Sequence, residues 1–267
     1  MTDPEMLELA AGLARRAALA IEAVRKAGFV VDRKTDESPV TEADRIAEAI
    51  IVDALREALP HIPVVAEEEV AAGIETRPAP QYWLVDPLDG TRGFAAGRED
   101  YAVCIGLVRE GRAALGAVAL PATGELFAGQ PGAGAWKEDA GHGGTRRPIR
   151  VRPPPPGGLV VLVSRQHAGD PRFEGILAGR RMAERRGLSS ALKFCRVAEG
   201  EADLYPRFGR TMEWDTAAGQ ALVEAAGGRV TTLDGAPLRY GKPGWLNDGF
   251  VCHGGGGAPP LGDPGDA

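Results

Sequence analysis

Residues 83–94 constrain this chain more than any other stretch: Trp83-Leu84-Val85-Asp86-Pro87-Leu88-Asp89-Gly90-Thr91-Arg92-Gly93-Phe94. An apolar run reads as a buried strand and ends in an aspartate. Pro87 stiffens a turn, a second aspartate follows, and Gly-Thr closes the segment. Two carboxylates held close on a rigid turn make a seat for hard divalent cations. A neighbouring Gly-Thr pair can aim backbone N–H groups and a hydroxyl at a phosphate. Asp-Gly and Pro-x-Asp are also ordinary turn residues, so the reading rests on what accompanies the stretch.

Three further acidic sites sit at strand ends or helix starts. Asp44 lies in Thr41-x-x-Asp44, which a capping box alone would explain. Glu67-Glu68 follows an apolar run, where an acidic stretch is usually solvated. Asp215 follows Trp214 at a helix start, a routine N-cap position. Gathered in one place with Asp86 and Asp89, these carboxylates would repel unless cations neutralised them. Oxygen ligands without His or Cys favour Mg²⁺ over zinc. The histidines, His61, His142, His167 and His253, show no ligand spacing and read as surface or loop residues.

A chain of 267 residues, 44% hydrophobic, can bury a large core. Its net charge of -6 argues against non-specific duplex binding. Arg180, Arg181, Arg185 and Arg186 read as a solvated helix face. Cys104, Cys195 and Cys252 are scattered, so neither a disulfide framework nor a zinc site is implied and each reads as a small buried hydrophobe. The acidic N-terminus lacks signal-peptide features and no segment reaches membrane-span length, so a cytoplasmic location is expected.

Helices are expected over 5–27, with a Thr2/Glu5 capping box, and from Thr41 to before Pro60. Strand-like runs follow at 63–66, 82–85, 101–108 and 113–120, the last two joined by a hairpin at Glu110-Gly111-Arg112, with 126–129 and 133–137 extending the sheet. Residues 139–158 read as a linker centred on 153–158. Beyond it come a strand at 159–163, helices at 173–184, 191–199 and 215–226, and strands at 229–232 and 250–252. The expected organisation is an N-terminal lobe at 1–152, a linker at 153–158, a C-terminal α/β lobe at 159–253 and a disordered tail at 254–267.

The order Thr41-x-x-Asp44, Glu67-Glu68, Asp86-Pro-Leu-Asp-Gly-Thr91, Trp214-Asp215 resembles the signature of the inositol monophosphatase superfamily. That resemblance implies an α/β (α+β) protein with a layered αβαβα sandwich in two lobes. It also implies a Mg²⁺-dependent, lithium-sensitive phosphatase carrying two or three ions. Ser38–Asp44, Ser164-Arg165-Gln166-His167, Leu192–Gly200 and Leu204–Gly209 resemble the bacterial 3'(2'),5'-bisphosphate nucleotidase branch, of CysQ type. That branch implies a role in sulfate assimilation and a cytoplasmic enzyme, monomer or homodimer, with peripheral inner-membrane association in some relatives.

By the resemblance, metal ligands are Glu67, Asp86, the Leu88 carbonyl, Asp89 and Asp215. Thr91, Asp44 and Glu68 are catalytic, and Gly90, Thr91, Ser190, Lys193 and Arg207 bind substrate. Lys193 alone would equally suit a snorkelling surface lysine. Arg207 stands where inositol phosphatases have Glu, which suits a second phosphate better than a polyol hydroxyl. Ser189 departs from the branch, which has Gly there to permit close substrate approach. An inositol or other sugar-phosphate phosphatase, and a non-catalytic metal- or nucleotide-binding protein, are the alternatives.

Overall fold

The computed structural model describes residues 1–33, 39–77, 79–139, 144–165, 172–177 and 179–255. Ser38, His142, Gln166, His167 and the 256–267 part of the tail lie outside the described residues.

The first helix, α1 (Asp3–Ala27), begins where its sequence caps it, with the Thr2 N–H donating to Glu5 at 2.7 Å. Caps of this kind contribute about 1 kcal/mol. Met6, Ala10, Leu13, Ala17 and Ile21 are buried at helical spacing. A ribbon of β1 (Val31–Arg33) and β2 (Pro39–Thr41) leads into α2 (Glu42–Ala58). Next come β3 (Val64–Ala66), α3 (Glu67–Ala71), β4 (Gln81–Asp89) and α4 (Thr91–Ala95). A meander follows of β5 (Ala102–Arg109), β6 (Arg112–Leu120), β7 (Glu125–Gln130), β8 (Gly134–Glu138) and β9 (Arg146–Ile149). From β3 to β9 the strands form one sheet in chain order, parallel only between β3 and β4.

The remaining chain supplies β10 (Leu159–Ser164), α5 (Phe173–Leu177), β11 (Met182–Leu188), α6 (Leu192–Ala198) and β12 (Leu204–Arg207). After β13 (Thr211–Met212) a 3₁₀ turn at Glu213–Asp215 leads into α7 (Ala217–Ala225). The last strands are β14 (Arg229–Thr232), β15 (Leu246–Asn247) and β16 (Phe250–His253). A second sheet has the order β11-β10-β12-β16-β14.

Five layers result. The helices α1 and α2 cover one face of the large sheet, α6 and α7 lie between the sheets, and α5 covers the outer face of the small sheet. Strand alternation explains how β4 serves two layers. Trp83 and Val85 join the core under α1 and α2, whereas Tyr82 and Leu84 join the core between the sheets. Asp86 continues the second series and so faces the middle layer. There α7 rests directly on sheet backbone. A Cβ at Gly106 would reach 2.7 Å from the Ala218 nitrogen, and one at Gly116 would reach 2.5 Å from its carbonyl oxygen.

A buried charge cluster fastens α6 to the large sheet. Arg196 reaches Glu125 at 2.6 Å and also pairs with Glu199, while Lys137 reaches Glu199 at 2.9 Å and also pairs with Glu125. Burial would raise the Glu125 carboxyl, but its Arg196 and Lys137 partners outweigh that and hold it at about 2. Removing one member of such a cluster costs about 3–5 kcal/mol, because the other charges stay buried.

Several expectations are corrected. The helix expected over 173–184 stops at Leu177, and 182–188 is instead strand β11, parallel to β10. Its Ala, Arg and Glu favour helix locally, but pairing with β10 overrides that propensity. Arg185 and Arg186 are exposed on this edge strand rather than on a helix face, where charges discourage further strand pairing. The stretch read as linker from residue 139 contains β9, so the connection between the sheets is confined to 150–158. His253, expected on the surface or in a loop, is buried within β16, and burial pushes its imidazole down to about 4. No helix among the described residues is long and apolar enough to cross a membrane.

Candidate active site

Four acidic chain segments meet at or beside one cavity of about 350 Å³, whose lining includes Glu67, Asp89 and Asp215, with Asp44 and Asp86 buried behind it. The first is the end of β4. Proline is tolerated there because the pairing of β4 with β5 shifts register between Asp86 and Asp89, a bulge that re-aims both aspartates. Asp86 is buried and accepts the Leu88 N–H at 3.0 Å. Asp89 accepts the Ala191 N–H. Gly90 follows with φ 101°, and a Cβ there would stand 3.2 Å from the Asp100 carbonyl oxygen and 3.4 Å from Ser190 Cβ. Only glycine fits that turn.

Asp44 caps a helix and also reaches Thr91. One carboxylate oxygen accepts the Thr41 N–H and hydroxyl, each at 2.7 Å, and so caps α2. The other lies 2.9 Å from the Thr91 hydroxyl, which is also 2.9 Å from the Leu88 carbonyl. Burial, ahead of its hydrogen bonds, raises the Asp44 carboxyl above the usual range.

Glu67 opens α3 and lines the cavity, but Glu68 does not. Successive helical residues diverge by about 100°. Glu68 therefore turns into a separate groove with Glu48, Glu69 and Arg45, and its N–H donates to Glu48 at 2.8 Å. The fourth segment carries Asp215, which closes the 3₁₀ turn before α7 and accepts the Met212 N–H at 2.8 Å. Buried Glu213 anchors that turn by accepting the Gly241 and Lys242 N–H groups at 2.8 and 3.0 Å.

As placed, no three acidic, histidine or cysteine side chains among the described residues close on a common point for an ion. Their electrostatics nevertheless single them out. Burial first, then Glu67, Asp89 and Asp215, push the Asp86 carboxyl well up. Burial, then Asp89 and Glu67, do the same to Asp215. Burial raises Asp89 to about 6 even though Lys193 opposes it. Like charges with water excluded repel and spread, and backbone N–H groups hold Asp86, Asp89 and Asp215 in place. An all-oxygen donor set of this charge fits hard divalent cations.

The same cavity carries a cationic wall. Lys193 on α6 is buried rather than snorkelling; it donates to the Ser190 carbonyl at 2.6 Å and stands over the Tyr205 ring. Burial lowers its ammonium to about 8. Arg207, at the end of β12, and Arg165, just after β10, complete the wall. Ser190 adopts a left-handed φ of 57°, whereas Ser189 is not among the residues with positive φ. A serine at 189 is thus accommodated without backbone strain.

Sequence reasoning missed the floor of the cavity. Phe194, Tyr205 and Phe250 pack on one another with ring centroids 5.2–5.5 Å apart, and all three line it. Asp100, Arg98 and Arg165 were not singled out as site residues either. Nothing in their local spacing marks them, because Arg165 meets Asp100 only through the packing of the two sheets.

The family model for the inositol monophosphatase family matches residues 3–253. The chain belongs to the inositol monophosphatase family. Similar members include the 3'(2'),5'-bisphosphate nucleotidase CysQ of Escherichia coli K12, 42% identical over 249 residues, which is 92% of this chain and 98% of that protein. The Salmonella typhimurium protein of the same name is 41% identical over 250 residues, again 92% of this chain and 98% of that one. Among solved structures, CysQ from Bacteroides thetaiotaomicron aligns with a TM-score of 0.75 and 31% identity, covering 94% of this chain and 97% of that one. The inositol monophosphatase of Thermotoga maritima gives 0.75 at 26% identity, covering 93% and 92%. The layered fold expected from the sequence is that of these family members.

Proposed function

We propose that this family member hydrolyses the 3'-phosphate of 3'-phosphoadenosine 5'-phosphate, yielding AMP and phosphate, as part of clearing the by-product of sulfate assimilation. The observation that carries this reading is the division of the cavity into an acidic wall and a cationic wall. The acidic wall suits a phosphate bound with cations, and the cationic wall suits a second anionic group on the same small molecule. The names of the CysQ relatives support the same substrate.

The all-oxygen donor set suits Mg²⁺: Glu67, Asp86 and the Leu88 carbonyl would hold one ion, Asp86, Asp89 and Asp215 a second, and Glu67 a third. Bound divalent cations supply an acidified water and offset phosphoryl charge. The protein's own part is to place the reacting groups. Thr91 stands where its hydroxyl can donate to Asp44 while accepting a hydrogen bond from an attacking water. Asp44, its basicity raised by burial, can take up the proton passed through Thr91. Gly90 and Thr91 present N–H groups at the start of α4, ahead of any carbonyl within that helix that could accept them. Lys193, Ser190 and Arg207 hold the rest of the nucleotide.

Phosphate release from 3'-phosphoadenosine 5'-phosphate and from inositol 1-phosphate, each with Mg²⁺ and with Mg²⁺ plus lithium, tests the reading. A strong preference for the nucleotide with inhibition by lithium is expected. A preference for inositol phosphate would keep the acidic wall and overturn the substrate assignment.

A further inference from the structure

Asp100 lies between α4 and β5 and is buried. Its carboxylate accepts the Ser189 N–H at 2.8 Å and pairs with the Arg165 guanidinium at 3.0 Å. Arg165 is steadied from the other side, where its Nε donates to the Gly187 carbonyl at 3.3 Å. Asp100 comes from the large sheet's side of the molecule, whereas Arg165 and Ser189 follow β10 and β11 of the small sheet. One carboxylate thus links the two sheets at the cavity.

The side chain of Arg165 is 42% exposed, against 7% for Asp100. An arginine so exposed would otherwise sample many rotamers, and ordering it only on binding would weaken affinity. Among the described residues, Asp100 and Gly187 take three of its five N–H donors, and it lines the cavity with Lys193 and Arg207, where the other two can be directed. The Asp100 main chain also backs the Gly90 turn, so it touches the walls expected to hold both ends of the substrate.

We infer that Asp100 is a positioning residue for substrate selection, presetting Arg165 to receive the second phosphate of a bisphosphate. This deepens the nucleotide reading above and rests on it. The test compares 3'-phosphoadenosine 5'-phosphate with adenosine 3'-monophosphate, which has the same scissile ester and lacks the second phosphate. Asp100→Asn keeps an acceptor for the Ser189 N–H and removes the charge facing Arg165. Its KM for the bisphosphate should rise about tenfold, with kcat and the KM for the monophosphate changing less than about twofold. Asp100→Glu should recover part of the loss. Arg165→Met should show the same selective rise, and the double variant should be no worse than Arg165→Met alone.

Equal losses on both substrates, or additive losses in the double variant, would overturn the assignment and leave Asp100 a structural link. Should the unaltered protein show no preference for the bisphosphate, the nucleotide reading and this inference both fall. A preference that survives in both single variants defeats only the inference.

Discussion

The two walls of the cavity are built on opposite principles. On the acidic side, Asp86 and Asp89 share one strand end, Asp215 lies on a turn packed against that sheet, and backbone N–H groups fix all three. Burial and the neighbouring carboxylates raise all three carboxyls, an arrangement that disfavours their charged forms. On the cationic side, Lys193, Arg165 and Arg207 come from separate segments and are steadied by carbonyls and by Asp100. The acidic side is thus a group of buried carboxylates held by backbone N–H groups, and the cationic side is assembled from separate segments, each side chain held by its own acceptors.

Substitutions should separate the two walls, the most damaging on the acidic side. Asp86→Asn should lower kcat by about 10²-fold or more while the protein still folds, as loss of a preorganised charge does. Steady-state turnover with saturating Mg²⁺, beside a melting curve, checks this, and near-normal turnover would remove Asp86 from the mechanism.

A smaller effect concerns stability without cations. Asp89 has a folded pKa raised from 3.8 to about 6. Protonation therefore favours the folded state, and the benefit is complete below the unfolded value and is lost as pH rises through the folded one. In chelator-treated protein, Asp89→Asn should raise the melting temperature by a few degrees at pH 8 and by almost nothing at pH 3. An equal shift at both pH values would mean that the charge is not what strains the acidic wall.

The smallest expected effect is on the cationic side. Ser190 holds a left-handed φ that costs a non-glycine residue about 1–2 kcal/mol. Ser190→Gly should relieve part of this and change stability by under about 1 kcal/mol, while KM for the nucleotide rises because the Ser190 hydroxyl is gone. Denaturant melts and kinetics on the same preparation decide it, and an unchanged KM would remove Ser190 from the substrate contacts.

The acidic wall was legible because its residues carry local signatures: the apolar run into Asp86, the turn residues to Gly90, and the cap at Thr41–Asp44. Glu68 shows the limit of that legibility, since adjacent acidic residues give no sign of which one a helix start will turn inward. The cationic wall was partly legible through the stretch containing Lys193, although burial of Lys193 could not be read from a single apolar helix turn. Asp100 and Arg165 were not legible as a pair, because 65 residues separate them and only the packing of the two sheets unites them. For β11, local helix propensity and strand pairing disagreed, and pairing with β10 decided the outcome.

The contact of α7 with Gly106 and Gly116 sets how mutational damage should be distributed. Backbone meets backbone there, with only the Ala217 methyl besides, so no flexible side chain is available to yield, and a single added carbon must displace the helix that begins just after Asp215. Neighbouring core positions such as Leu222 or Val118 can exchange one aliphatic shape for another with local adjustment. Inactive variants with an intact fold should therefore map to two glycines that touch neither substrate nor ion, and a survey confined to the cavity lining would overlook them.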